Sequence, residues 1–140
     1  MRDTQIEIKR LYKKHRTFNP YEIADAMGII IHYMDLGCTR GFCYTSRRIR
    51  QIFLNSNMPD YMKRFVLAHE LGHLIMHPNH NAPFLQSTFF SMDRYELEAN
   101  KFAVDLIITD GDLEVMYEYS IDSLAAHYGL PREVIELRFK

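Results

Sequence analysis

The chain has 140 residues, close to one typical domain, and its 47% hydrophobic and 25% charged residues suffice to bury a single core. A net charge of -1 excludes a strong nonspecific attraction to nucleic acid, and no apolar run approaches the ~18 residues of a helical membrane span. The N-terminus lacks the hydrophobic region of a signal peptide, so the chain is expected to be cytoplasmic, with Cys38 and Cys43 as free thiols flanking a turn around Gly41.

In chain order, Thr4 to about Arg16 places Ile8, Leu11, Tyr12 and His15 at helical spacing with Lys and Arg opposite, which predicts a short amphipathic helix. Asn19 as cap, Pro20 at the first helical position and Gly28 as the stop predict a second helix. The β-branched run from Ile29 to Asp35 reads as a buried strand. Phe42–Thr45 and Ile49–Leu54 read as a hairpin around Ser46-Arg47-Arg48, giving a small antiparallel three-stranded sheet. His32 is expected to be a packed or edge histidine. The basic clusters at Lys9–Arg16 and Arg47–Arg50 read as a solvated helix face and a charged turn.

A long helix should start at Pro59 or Asp60 and end at His77, because Pro78 disfavours helical geometry in the residue before it. Residues 79–92 carry no periodic pattern and read as a long connection of the kind that forms lids and binding loops. Asp93 to about Ile108 is predicted helical, ending near Asp110-Gly111. Shorter helices follow over Asp112–Tyr119, Ser123–Tyr128 and Pro131–Phe139. With no repeat and no linker, residues 1–140 form one α+β domain, mostly helical.

The long helix contains His69-Glu70-Leu71-Gly72-His73. Positions i and i+4 project from one helix face, so two imidazoles can converge on a single metal ion while Glu70 reaches a water at that ion. Such a pentapeptide arises by chance too often to define an enzyme alone, and a third ligand is needed. A histidine ligand at the three-histidine spacing is excluded, because Met76 and Asn79 occupy the required Gly and His positions. His77 lies too far along the axis to converge with His69 and His73, and it and His80 read as surface residues near the site entrance.

The next helix decides between Glu96 and Glu98. With Glu96 at zero on a helical wheel, Ala99, Asn100, Ala103 and Ile107 fall within roughly 60° of it. Glu98 falls nearly opposite, with Lys101 and Asp105, on what reads as the solvated face. A carboxylate centred on a small, apolar face is costly unless paired or metal-bound. Glu96 is therefore the candidate third ligand, and Asn100 is placed to orient an imidazole from outside the ligand set. The other reading of Glu96, as part of a capping box with Asp93, stays open. Two His and one Glu with an open position is a catalytic zinc arrangement, with one Zn2+ expected and Glu70 as general base. Tyr95, His80 and Tyr44 are candidates for contact with substrate or its developing oxyanion.

His69–His73 followed by Tyr95-Glu96-Leu97-Glu98-Ala99-Asn100-Lys101-Phe102-Ala103 resembles the ImmA/IrrE family of zinc metallopeptidases, and the segments Asn19–Asp25 and Arg64–His69 are also similar to it. The family's Glu-x-x-Ala-Asn pattern falls on Glu96. The resemblance implies that His69, His73 and Glu96 bind zinc, that Glu70 acts in catalysis, and that the substrate is a helix-turn-helix repressor whose cleavage releases a phage or other mobile element. The chain departs from the family at Leu106–Asp110, where Leu-Leu-Met-Pro is common, and it lacks the sensor-like domain of larger members. Ser123–Ile135 resembles half a helix-turn-helix motif, but a lone short helix pair is more often packing, and direct nucleic-acid binding is not expected. Two rival readings are a zinc-stabilised module that binds a regulator without cutting it, and a toxin paired with a DNA-binding antitoxin.

Overall fold

The computed structural model describes residues 3–78 and 93–140. Its elements run α1 (Thr4–His15), α2 (Pro20–Ala26), β1 (Ile30–Met34), β2 (Gly41–Ser46), β3 (Ile49–Asn55), α3 (Asp60–Met76), α4 (Arg94–Ile107), α5 (Asp110–Val115), α6 (Ile121–Tyr128) and α7 (Arg132–Leu137). Local signals account for most boundaries. Asp3 caps α1, Asn19 caps α2 with Pro20 in its first turn, and Asp93 accepts from the backbone N–H groups of Tyr95 and Glu96 to cap α4. Gly129, at φ +69°, terminates α6. α4 ends at Ile107, close to the expected stop, and Asp110 and Gly111 already form the first turn of α5, which starts two residues before the expected Asp112. Thr109 and Asp112 make a reciprocal capping box that starts that helix.

The sheet differs from the expected antiparallel one. Its order is β1-β3-β2, with β2 antiparallel to β3 but β1 parallel to it. The chain leaves β1, passes over the central position to the far edge, and returns through the hairpin into the gap. The crossing segment is tied to the end of β3 by the Asn55 side chain, which donates to the carbonyls of Gly37 and Thr39 at 3.0 and 2.9 Å. The hairpin turn is Arg47-Arg48, both at positive φ, the geometry that follows the twist of the two strands.

One sheet face packs on α3, whose middle is buried all round, from Phe65 to His73. Such a helix is central rather than amphipathic. α4 lies along α3 and is covered on its other sides by α1 and α7. The approach of α3 to α4 is close at Gly72, where an added Cβ would sit 3.0–3.2 Å from the side chain of Phe102. The core joins Ile52 and Leu54 of the sheet to Phe65, Leu67 and Leu71 of α3 and Phe102 and Leu106 of α4. Leu124, Leu130, Val134 and Ile135 bring α6 and α7 into the same core, which absorbs the apolar face of the half helix-turn-helix.

Enclosure of α4 overturns one expectation. Glu98 and Asp105, assigned to a solvated face, are 5% and 2% exposed. Asp105 receives Lys101 at 3.0 Å and the Thr4 hydroxyl, with Arg138 3.8 Å away. A wheel separates the faces of a helix but does not show that both are covered.

Candidate metal centre

α3 delivers His69 and His73 from adjacent turns of one face, and α4 delivers Glu96 opposite them. The Nε2 atoms of His69 and His73 lie 2.9 Å from Oε2 and Oε1 of Glu96, one to each carboxylate oxygen. All three residues are buried, and their potential ligand atoms lie within 4.8 Å of one another. Donors around one tetrahedral ion with bonds of ~2.0–2.2 Å sit roughly 3.3–3.6 Å apart, so small side-chain rotations would admit an ion. The capping alternative for Glu96 is not what the geometry displays. Asp93 caps the helix, and the Glu96 side chain turns to the imidazoles.

Asn100, one turn beyond Glu96, accepts a hydrogen bond from Nδ1 of His69 at 2.7 Å. An amide oxygen can only accept, so this contact places the His69 proton on Nδ1 and leaves Nε2 to the ligand position. Ala99 and Ala103 are fully buried on this helix and, with Gly72 opposite Phe102, keep the interhelical gap narrow.

Glu70 stands beside the set, with Oε2 3.9 Å from Nε2 of His69. Burial pushes its carboxyl above the usual value, while His69 and His73 offset part of the rise. Burial also acts on Glu96 in the same sense, but hydrogen bonds from His69 and His73 outweigh it and hold that carboxyl below the ordinary range. For His69, burial opposes the cation and the neighbouring Glu96 and Glu70 more than restore it, so its pKa is raised in the ion-free protein. Two carboxyls in one site are thus driven in opposite directions, a pattern suited to one anionic ligand and one proton acceptor.

Several residues fall elsewhere than expected. His77 is buried rather than at the surface, with Nδ1 3.1 Å from Nδ1 of His73 and Glu98 behind it. Tyr95 is half-buried and packs edge-on against His77, ring centroids 4.5 Å apart, with the Arg94 guanidinium 5.4 Å from its ring. Tyr44 is 38% exposed and points to the opposite sheet face from its neighbour Cys43, away from Glu70. Cys43 itself is a contact the sequence reading missed. It pairs with the buried Ile52, so it faces α3, and its thiol hydrogen-bonds the Glu70 carboxylate. Burial and Glu70 together push that thiol upward, so it stays protonated and serves as a donor. Strand alternation in Phe42-Cys43-Tyr44 carried this signal. His80 and the expected binding loop at 79–92 lie outside the described residues.

A buried His–His–Glu set shared by two tightly packed helices, with a further carboxylate alongside, is an architecture suited to a metal-dependent hydrolase. Comparison with known proteins narrows the class: residues 24–140 match the peptidase family described as IrrE N-terminal-like domain, and the chain belongs to that metallopeptidase family. The uncharacterized immunity region protein 2 of Bacillus phage phi105 is 38% identical over 135 residues, covering 94% of this chain and 85% of the relative. Metallopeptidase ImmA of Bacillus subtilis (strain 168) is 31% identical over 137 residues, covering 94% of this chain and 81% of that protein.

Proposed function

We propose that the chain is a zinc-dependent endopeptidase in which His69, His73 and Glu96 hold one zinc ion and Glu70 is the general base. The observation that carries this reading is the convergence of both Nε2 atoms on the two oxygens of Glu96, with Glu70 at the rim of the same buried set. A zinc ion there would lower the pKa of a coordinated water to about 7 and polarise a carbonyl. Glu70 takes the proton of the attacking water and returns it to the leaving amine. The Cys43 thiol donates to the Glu70 carboxylate and orients it, and Asn100 holds the His69 ring.

Among the described residues β2 is an edge strand, and it carries Cys43 against Glu70, so that edge runs past the reacting groups. An extended peptide can pair along such an edge, with backbone hydrogen bonds fixing its register. The substrate we propose is a helix-turn-helix repressor of a phage or mobile element, in keeping with the immunity-region name of one relative. Tyr95 and His80 are the candidates for contacts on the substrate side.

Incubation of the purified chain with the repressor encoded beside it tests the reading. Wild type should give two defined fragments, and Glu70→Gln, with zinc still bound, should be slower by roughly 10²–10⁴-fold. Equal cleavage by both would remove Glu70 from catalysis. A stable complex with intact repressor, formed alike by both, would favour the binding module instead.

A further inference from the structure

A line of buried polar groups leads away from the metal centre through His73. Nδ1 of His73 lies 3.1 Å from Nδ1 of His77, one turn further along α3. On the far side of that ring, Nε2 of His77 lies 3.6 Å from Oε1 of Glu98, an ion-pair contact a little longer than a hydrogen bond. His73, His77 and Glu98 are all at most 7% exposed. The Tyr95 ring stands edge-on to His77 at 67° and fixes its plane.

Two nitrogens at hydrogen-bond distance need one proton between them. His73 turns Nε2 toward Glu96, and ligation requires a lone pair on that atom. A neutral, ligating His73 therefore carries its proton on Nδ1 and donates it to His77. Nδ1 of His77 is then the acceptor, and its own proton sits on Nε2, facing the Glu98 carboxylate. Each assignment forces the next.

We propose that His77 and Glu98 are positioning residues that hold His73 in its ligating tautomer and orientation, acting through a carboxylate–imidazole–imidazole chain. This rests on the metal-centre reading above but assigns two residues that reading does not use. The two histidine ligands are then braced differently. His69 leans directly on a neutral amide oxygen, Asn100. His73 leans on an imidazole that an anion holds in place, which also raises the basicity of the ligand.

The experiment is a zinc competition titration of the full chain against a chromophoric chelator, with folding of each variant followed by thermal melting in EDTA. His77→Phe keeps a flat ring against Tyr95 but cannot accept, and should weaken zinc binding by roughly 10–100-fold. His77→Asn offers an amide oxygen near the position of Nδ1, as Asn100 does for His69, and should restore most of the loss. A packing role alone would predict the reverse order, since Asn fills the space worse than Phe. An affinity for His77→Phe equal to wild type, or His77→Asn no tighter than His77→Phe, would overturn the proposal. Should His77→Phe not fold, the nearly isosteric Glu98→Gln decides: a several-fold loss supports the chain of contacts, and unchanged affinity overturns it. Failure of wild type itself to bind zinc would instead bring down the metal centre, and this inference with it.

Discussion

Of the three buried carboxylates on α4, Glu96 and Asp105 do opposite things. Both are nearly inaccessible, at 4% and 2% exposure. Asp105 meets Lys101 at 3.0 Å, the Thr4 hydroxyl, and Arg138 at 3.8 Å. Glu96 meets two imidazoles at 2.9 Å each. Ammonium and guanidinium groups offer no lone pair to a metal ion, so Asp105 is a finished ion pair that pins α1 and the end of the chain to α4. Imidazoles can be neutral, and both of these direct a nitrogen at one point, so a divalent cation can take over the role of countercharge. Burial of a carboxylate therefore marks a cost that has been met; the chemistry of its partners says whether the site is structural or available for a ligand.

The sharpest test of that contrast exchanges the two losses. Glu96→Ala should abolish stoichiometric zinc binding, read by metal analysis after dialysis, while the fold persists. Asp105→Ala should leave zinc stoichiometry intact and instead cost about 3–5 kcal/mol in urea denaturation, because it takes from the poorly accessible Lys101 its carboxylate partner while Arg138 keeps Asp110. Loss of zinc from the Asp105 variant while it remains folded would erase the distinction.

A smaller effect is expected at the seam between the helices. Gly72→Ala puts a methyl 3.0–3.2 Å from Phe102, and the overpacking should cost about 1–3 kcal/mol. It should also loosen zinc binding, since Gly72 adjoins His73 and pushing Phe102 away would shift the helix that carries Glu96. Stability lost with zinc affinity retained would show that the centre tolerates a wider gap.

The smallest effect concerns Glu70 in chelator-stripped protein. Burial raises its folded carboxyl above the unfolded value of ~4.3, so the folded state holds a proton that the unfolded chain has released. Stability then falls as pH rises from that value through the higher folded one. Glutamine escapes this loss, and Glu70→Gln should melt a few degrees above wild type at pH 7 and together with it below pH 4. A variant no more stable than wild type at pH 7 would mean the ionised carboxylate is already well compensated.

Much of this arrangement was legible in the sequence because it depends on single-element periodicity. The i,i+4 histidines and the small-residue face around Glu96 follow from helical spacing alone, and both lie at the observed convergence. Caps and stops such as Asn19, Pro20 and Gly129 act within a few residues and were equally readable. What escaped depends on which elements become neighbours. Glu98 looked solvated until His77 of α3 was found against it. The parallel pairing of β1 with β3 reflects a crossover, and no strand pattern encodes one. Cys43 lies in the expected strand Phe42–Thr45, but its alternation was not used and it was read only as a free thiol flanking a turn.

With His69, His73 and Glu96 as the proposed ligands, the split of the set between α3 and α4 would tie the lifetime of the protein to its metal supply. His69 and His73 are synthesised well before Glu96, and the full set of donors exists only after the two helices dock. An ion that binds the docked state alone adds ~1.4 kcal/mol of stability for each tenfold excess over its dissociation constant. Chains that failed to capture the ion would stay closer to the unfolded ensemble and so be more open to proteolysis. Activity and persistence would then respond to the same ion, and an unmetallated population would be thinned rather than stored.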